Sequence, residues 1–242
     1  MVPPGVAPDL TPAAAERADA MIAEAVRAAI ADGEPLRIEG RGTWSGAGGR
    51  VAARRTLSLA GDTGIVEYVP GDLTVTVRAG TTLSALAAAL AEHGQWLACD
   101  PEGAGEGSIG ATIATCSYGP AAALYGTPRD QVLGMTVVTG KGEIVRAGGR
   151  VVKNVAGFDI VRLMTGAWGT LGVITQVTLR VRALGMRRGA VEHLRHEMPA
   201  RYGYRDPVIP RGTLRLARAV RAAFDPHEIL NPGIMDFSGA AR

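Results

Sequence analysis

An α+β architecture is predicted by three features of the chain. Helical and strand periodicities follow one another irregularly, glycine-rich turns separate them, and two alternating segments flank a tight turn as a hairpin would. A doubly wound parallel sheet needs a regular strand–helix alternation, which the chain lacks.

Thr11 caps a first helix, Pro12 suits its first turn, Ala-rich sequence carries it to Ile30, and Asp32-Gly33 ends it. A short strand over 35–39 runs into a Gly-rich loop over 40–49, and strands follow over 56–59 and 65–68. Over 73–79, Leu73, Val75 and Val77 fall on one face, with Thr74, Thr76 and Arg78 on the other. Gly80 ends that strand. Thr82 caps a helix whose Leu83, Leu86 and Leu90 recur at helical spacing, and Gly94 closes it. A second Gly-rich stretch covers 101–110. Segments 132–138 and 143–146 flank Thr139-Gly140-Lys141-Gly142 and read as a hairpin. A short helix over 159–164 and an alternating strand over 171–181 follow. Residues 183–212 show no clear period and read as a connection or surface excursion. An amphipathic helix over 213–223 stops at Asp225-Pro226.

Composition bounds the function. The chain has 242 residues, 47% of them hydrophobic and 20% charged, which is a globular and not a disordered balance. Its 33 glycines suit tight turns and backbones that a ligand approaches closely. Net charge is only +3, yet between Arg180 and Arg221 stand eleven Arg and no Lys. Only Glu192, Glu197 and Asp206 oppose them, so that window carries about +8. With few aromatics to stack bases and no reading motif, nucleic acid is a poor partner. The window reads either as a solvated basic surface or as a dock for an acidic partner subunit. Cys99 and Cys116 are too few for a disulfide framework and fit no zinc spacing, so no metal is expected and a reducing cytoplasm fits. The N-terminal residues show neither a basic n-region nor an apolar h-region, and no uncharged apolar run reaches about 18 residues. Neither a signal peptide nor a membrane span is expected.

Two loops can receive a diphosphate. A diphosphate needs several backbone N–H groups converging with no side chains in the way, and a helix N-terminus adds the positive end of its dipole. Gly40–Gly49 and the segment Gly107-Ser108-Ile109-Gly110-Ala111-Thr112 both have the composition, and a helix is expected to start near Ser108. Neither is a P-loop or a dinucleotide fingerprint of the Gly-x-Gly-x-x-Gly type, and each alone is as well explained by a structural turn. Three further segments stand out. Gly166-Ala167-Trp168-Gly169 opens a strand, Lys153-Asn154-Val155-Ala156-Gly157-Phe158-Asp159 holds one of only two lysines, and Phe224-Asp225-Pro226 leads to Asn231-Pro232-Gly233. A tight turn, a solvated charge and a C-terminal turn explain these equally well.

Taken together and in this order, the five segments resemble the FAD-binding (PCMH-type) domain of vanillyl-alcohol-oxidase-like flavoproteins. Within that group the resemblance is to the FAD-binding subunit of bacterial glycolate oxidase. It covers about residues 33–181 and 213–235, and its most specific pieces are Tyr125-Gly126-Thr127-Pro128-Arg129-Asp130, the 149–159 segment and the Asn231-Pro232-Gly233 ending. The resemblance implies a two-lobed domain over 1–182, with lobes of about 1–110 and 111–182. A short Arg-rich connection over 183–212 stands where relatives carry a cap domain, and a C-terminal helical segment covers 213–242. It implies non-covalent FAD. Arg41, Gly42, Thr43, Trp44, Ser45 and Gly46 would wrap the diphosphate, and Pro101, Gly107, Ser108, Ile109, Gly110, Ala111 and Thr112 would hold it and the ribose from the other side. Ala114, Thr115, Cys116 and Gly119 would border the flavin, with Tyr125 and Gly126 beside it and Asp130 there or purely structural. Trp168, Gly169, Val173 and Ile174 would line the adenosine end, and Asn231 would approach the flavin. Arg41 and Trp44 stand where relatives often have Gly, Asn or Ser, and Trp168 where many carry an acid.

The resemblance further implies a FAD-dependent oxidoreductase of 2-hydroxy acids working as one subunit of a complex. No catalytic base can be placed in the sequence. A sister hydroxy-acid-oxidising flavoprotein subunit and an iron–sulfur subunit are therefore the expected partners, with cytoplasmic location and peripheral attachment at the inner face of the plasma membrane through the complex. Lys153 would stabilise reduced flavin. His93 and His227 read as surface groups. The alternative is a structural subunit that has lost FAD and keeps the fold for assembly; a stand-alone enzyme with a minimal site is a third reading.

Overall fold

Thr11 accepts a hydrogen bond from Ala14 N, and Gly33 at φ 66° turns the chain out of the first helix. These two caps bound α1 (Pro12–Asp32) in a computed structural model that describes residues 10–45, 47–101, 103, 105–149, 159–185, 191 and 213–235. After α1 come β1 (Leu36–Glu39), β2 (Arg55–Ser58), β3 (Ile65–Val69), β4 (Thr74–Arg78), α2 (Leu83–Ala91), β5 (Gln95–Trp96) and α3 (Ile109–Thr115). Then follow α4 (Ala122–Tyr125), α5 (Pro128–Gln131), β6 (Val132–Thr139), β7 (Ile144–Gly148), α6 (Ile160–Met164), β8 (Gly172–Arg180), β9 (Arg182–Ala183) and α7 (Leu214–Phe224). The mixture is α+β, as expected.

Five strands form one antiparallel sheet in the order β3-β4-β8-β6-β7. Strand β8 sits in its centre, and the chain reaches it only after the β6–β7 hairpin is complete. The sheet therefore joins strands from both sides of the lobe boundary expected near residue 110, and one apolar core runs through it. Two smaller pairs stand apart: β1 beside β2 in parallel, and β5 against β9. The β5–β9 ribbon and the four-residue helices α4 and α5 left no periodicity long enough to be read from sequence.

Strand β4 is buried on its polar face as well as its apolar one. All five of its residues are buried, because α1 and the turn at Asp62 cover the face that carries Arg78. Arg78 is fully buried. Its Nη1 donates to Asp19 Oδ1 at 2.7 Å, and its Nε and Nη2 donate to the two oxygens of Asp62 at 2.8 and 2.9 Å. Burial opposes the Arg78 charge, but the Asp62 and Asp19 carboxylates outweigh it and raise its pKa. Burial likewise pushes the Asp62 carboxyl above the usual carboxylate range, against the pull of Arg78. The paired geometry is that of charge-assisted hydrogen bonds. It fastens α1 to the sheet.

The C-terminal segment returns to the start of the fold. Asp225, fully buried, accepts from Ile229 N at 3.0 Å and Leu230 N at 2.9 Å and so shapes the turn after α7. Leu230 then bridges Leu36 in parallel, extending the β1–β2 pair. Asn231 follows at φ 43°, 4% exposed. Its backbone N donates to Leu36 O at 3.0 Å, its Oδ1 accepts from Ile38 N at 2.7 Å, and its Nδ2 donates to Trp168 O at 2.8 Å.

Both clusters give measurable consequences. Arg78→Met leaves two carboxylates facing each other in the interior and is expected to lower the unfolding free energy by about 3–5 kcal/mol, read as a fall in the urea midpoint. Asn231→Ala strands a buried N–H and a buried C=O and is expected to cost about 2–4 kcal/mol. Asn231→Asp, although isosteric, sets an oxygen against the Trp168 carbonyl and should be destabilising by the same measurement.

Candidate functional site

The two Gly-rich loops meet at Gly40, the first residue after β1. A Cβ on Gly40 would overlap Ser108 Oγ and come within 3.3 Å of Ser108 Cβ and 3.5 Å of Ala111 Cβ. Glycine at 40 is thus what allows a strand end and a helix start to lie side by side. Ser108 caps α3, its Oγ accepting from Ala111 N at 3.4 Å. Gly110 lies so close to the end of β4 that a Cβ would sit 2.6 Å from that of Ala79.

The backbone donors at the two loops are used differently. At α3, Ile109 N donates to Thr81 O at 2.9 Å, Gly110 N to Ala79 O at 2.8 Å and Thr112 N to Ser108 O at 3.0 Å. The helix start is consumed in fastening α3 to β4. In the first loop, Ser45 N and Oγ both close onto Gly42 O, at 3.1 and 2.8 Å. The N–H groups of Arg41, Gly42 and Thr43 meet no acceptor among the described residues. Those three donors are what an anion can take. Arg37, Arg41, Arg50 and Arg54 add cationic side chains along the same stretch, and none has an ion-pair partner among the described residues.

A groove runs between the loops. The cavity open to water-sized molecules is about 100 Å³, and the whole groove with its solvent mouth is about 800 Å³. Of the residues singled out in the sequence, Gly42, Thr43, Trp44, Ser45, Ser108, Gly110 and Ala111 line it. So do Ala114, Thr115, Trp168, Gly169, Ile174 and Asn231. Arg41 is exposed beside it. Pro101, Gly107, Cys116, Gly119, Tyr125 and Gly126 do not line this groove. Ile109, Thr112 and Val173 are turned into the interior, at 1%, 2% and 0% exposure. Gly46 and Lys153 lie outside the described residues.

Several expected roles change with this placement. Both functions of the Asn231 amide are engaged by the protein, so it builds the groove wall. Asp130 accepts from Thr127 N and Oγ1 at 2.8 and 3.0 Å and closes the capping box of α5, the structural option. His93 stacks edge-on against Tyr68 at 5.0 Å, and His227 is exposed. Cys116 sits at φ 51° with its thiol pushed up by burial, in spite of the Arg129 charge and hydrogen bonds from Arg129 N and the Thr127 side chain. Tyr125 lies in a separate aromatic shelf, 5.4 Å from Trp96 and under the Arg182 guanidinium at 4.6 Å.

Sequence reasoning missed Arg37, Ile38 and Glu39 on β1, together with Val51, Leu59, Ala79 and Ile234. The first three had a signal: they close a strand that runs into a Gly-rich loop, where ligands gather. The others are scattered apolar residues without one. Among the described residues, no group of three or more His, Cys, Asp or Glu could hold a metal ion, and no helix is long and apolar enough to cross a membrane.

The open donors, the small residues that keep the walls clear and the surrounding cations fit a phosphate-bearing dinucleotide, and known proteins agree. Residues 14–148 match the FAD-binding domain family. The glycolate oxidase subunit GlcE of Escherichia coli is 42% identical over 159 residues, 65% of this chain and 45% of that protein. D-2-hydroxyglutarate dehydrogenase of Xanthomonas citri pv. viticola is 40% identical over 136 residues, 55% of this chain and 29% of that protein. The chain thus spans less than half the length of these relatives. Among solved structures, alkyldihydroxyacetonephosphate synthase superposes with a TM-score of 0.59 at 23% identity, over 69% of this chain and 33% of that one. That likeness concerns the fold alone. The chain belongs to the PCMH-type FAD-binding domain family of FAD-dependent oxidoreductases, and its cofactor is FAD.

Proposed function

We propose that this chain is the FAD-binding subunit of a glycolate-oxidase-type 2-hydroxy-acid oxidoreductase complex and that electrons pass through its flavin. The observation that carries the reading is the meeting of the two Gly-rich loops at Gly40 and Ser108, beside three backbone donors without acceptors. The likeness to GlcE supports the substrate class and the assembly.

When bound, FAD supplies the hydride and electron chemistry. The protein's part is to bind and orient. The N–H groups of Arg41, Gly42 and Thr43 hold the diphosphate, and the arginines nearby balance its charge. Ser108, Gly110 and Ala111 present small surfaces that let it approach. Cys116, Gly119, Tyr125 and Gly126, outside the groove lining, are assigned to the border of the flavin, and Pro101 with Gly107 to the diphosphate and ribose. Burial raises the Cys116 thiol, which works against its acting as a nucleophile towards the ring, and the cofactor is read as held without a covalent bond.

Of the residues lining the groove, Glu39 and Arg37 alone carry ionisable side chains of the acid–base kind. We assign the base for the substrate hydroxyl to a partner chain: a sister hydroxy-acid-oxidising flavoprotein, with an iron–sulfur subunit, in the cytoplasm and attached at the inner face of the plasma membrane through the complex. The likeness to a glycolate oxidase subunit is what supports the assembly.

The purified chain is expected to bind one FAD per molecule, to show visible flavin bands, and to release all its flavin on acid precipitation. A colourless chain indifferent to added FAD would instead favour a structural subunit. Gly40→Val, which forces the loops apart, is expected to weaken FAD by at least about tenfold in a calorimetric titration, with circular dichroism checking that the variant is folded. Purification of the complex from its native host, with identification of its chains and cofactors, tests the partners.

A further inference from the structure

Tyr125 is the centre of a small cluster outside the groove. The Trp96 ring meets it edge-on, 5.4 Å between centroids and 84° between planes. The Arg182 guanidinium lies over it, 4.6 Å from the ring centroid. Strand pairing fixes both neighbours, since Trp96 of β5 stands opposite Arg182 of β9. The Tyr125 carbonyl accepts from Gln131 Nε2 at 2.7 Å, and Gln131 is fully buried. The cluster is well anchored, yet its polar atoms are unspent. Among the described residues, Trp96 Nε1, the Tyr125 hydroxyl and the Arg182 guanidinium meet no hydrogen-bond acceptor, and no carboxylate pairs with Arg182. Arg182 Nε is buried and without a partner. Leu124, which precedes Tyr125, and Leu184, which follows β9, are 48% and 39% exposed.

We infer that Trp96, Tyr125 and Arg182, rimmed by Leu124 and Leu184, dock a partner chain through an acidic side chain that lands on the guanidinium. The inference rests on the complex-subunit reading above and names the surface that reading leaves open. Charge gives the partner's chemistry. A guanidinium partly withdrawn from water loses hydration, and no counter-ion among the described residues offsets that loss. A carboxylate supplies the missing charge and matches the planar fork with two parallel hydrogen bonds. The indole N–H and the phenol O–H are further donors, so every polar group on the shelf can serve an acceptor. Trp, Tyr and Arg are also the side chains that carry most of the energy of protein interfaces when a surrounding rim keeps water out. The two exposed leucines supply such a rim, which suits a protein surface better than a lone small acid. Position fits as well. Tyr125 and Gly126 are assigned to the flavin border, so a chain seated on the shelf stands at the reactive side of the cofactor.

The test uses the complex purified from its native host. This chain is removed and re-added in wild-type or variant form, and the dissociation constant for reassembly is measured. Arg182→Gln is expected to weaken reassembly by about tenfold or more, and Arg182→Lys, which keeps the charge but loses the fork, by less. Leu184→Asp is expected to weaken it and Leu184→Arg to strengthen it, a reversal that reads the sign of the partner's charge. FAD affinity and the urea midpoint of both Leu184 variants are expected to match the wild type, which separates a lost dock from a lost fold. Unchanged reassembly by Arg182→Gln overturns the dock and leaves the subunit reading standing. Weakening by both Leu184 variants alike overturns it too. So does an equal loss for Arg215→Asp on the exposed face of α7, since the attraction would then belong to the whole basic surface. Calorimetric binding of glycolate to the isolated chain that Arg182→Gln abolishes, with reassembly intact, would make the shelf a small-acid site instead. Reassembly that depends on Arg182 in a chain that takes no FAD keeps the dock and sinks the flavin reading. A chain that binds FAD and joins no complex sinks the dock and the subunit reading together.

Discussion

The groove exists because Asn231 holds three of its walls in one place. Through the backbone N and the two side-chain functions, this buried residue is bonded to β1 at Leu36 and Ile38 and to the turn at Trp168. These segments are far apart in the chain. The amide suits the task because it presents a donor and an acceptor in opposite directions, which neither a carboxylate nor a hydroxyl does with the same reach. Pro232 and Gly233 continue the effect. Ala52 N donates to Pro232 O at 2.8 Å, and a Cβ on Gly233 would collide with Arg50 O at 2.5 Å, so the loop after the phosphate segment is pinned to the same C-terminal turn.

With the walls fixed, the accounting of backbone donors decides where an anion can sit. A helix N-terminus is a ready anion site in general, and Ser108 does cap one. Here its first N–H groups are already spent on Thr81 and Ala79, binding α3 to the end of β4. That bond pattern gives α3 rigidity and leaves it to serve as a floor of small side chains. The unspent donors lie across the groove, in a loop with glycine at 40 and 42. One loop supplies stiffness and clearance and the other supplies hydrogen bonds. The buried Arg78 trio steadies the arrangement, since it anchors α1 against the strand from which α3 hangs.

Much of this was legible in the chain. Thr11, Thr82 and Ser108 marked helix starts that the structure reproduces, and the Thr139–Gly142 turn announced the β6–β7 hairpin. Small residues in two distant stretches marked the groove. The misses have physical causes. Alternation in β4 separated an apolar face from a polar one, but it cannot show that the polar face meets a buried ion-pair partner supplied by α1. The resemblance implied ligand contacts at Ile109, Thr112 and Val173, which are buried in the interior; successive residues in a strand or a helix turn face different ways. Asn231 was read by its place in a motif; that both ends of its amide are engaged is visible only in three dimensions. Val51 and Ile234 carry no local pattern at all.

The short stretch between β9 and α7 is also understandable from the closure of the groove. What the fold requires of the chain after β9 is that it come back to β1, so that Leu230 can bridge Leu36 and Asn231 can reach Ile38 and Trp168. Nothing in those contacts depends on how much chain lies between. Loop-closure entropy grows only slowly with length, each doubling costing about 0.6 kcal/mol. A large insertion and a short connection at this point are therefore nearly equivalent for the stability of the C-terminal return, and the contacts of Leu230 and Asn231 that close the groove are available to either.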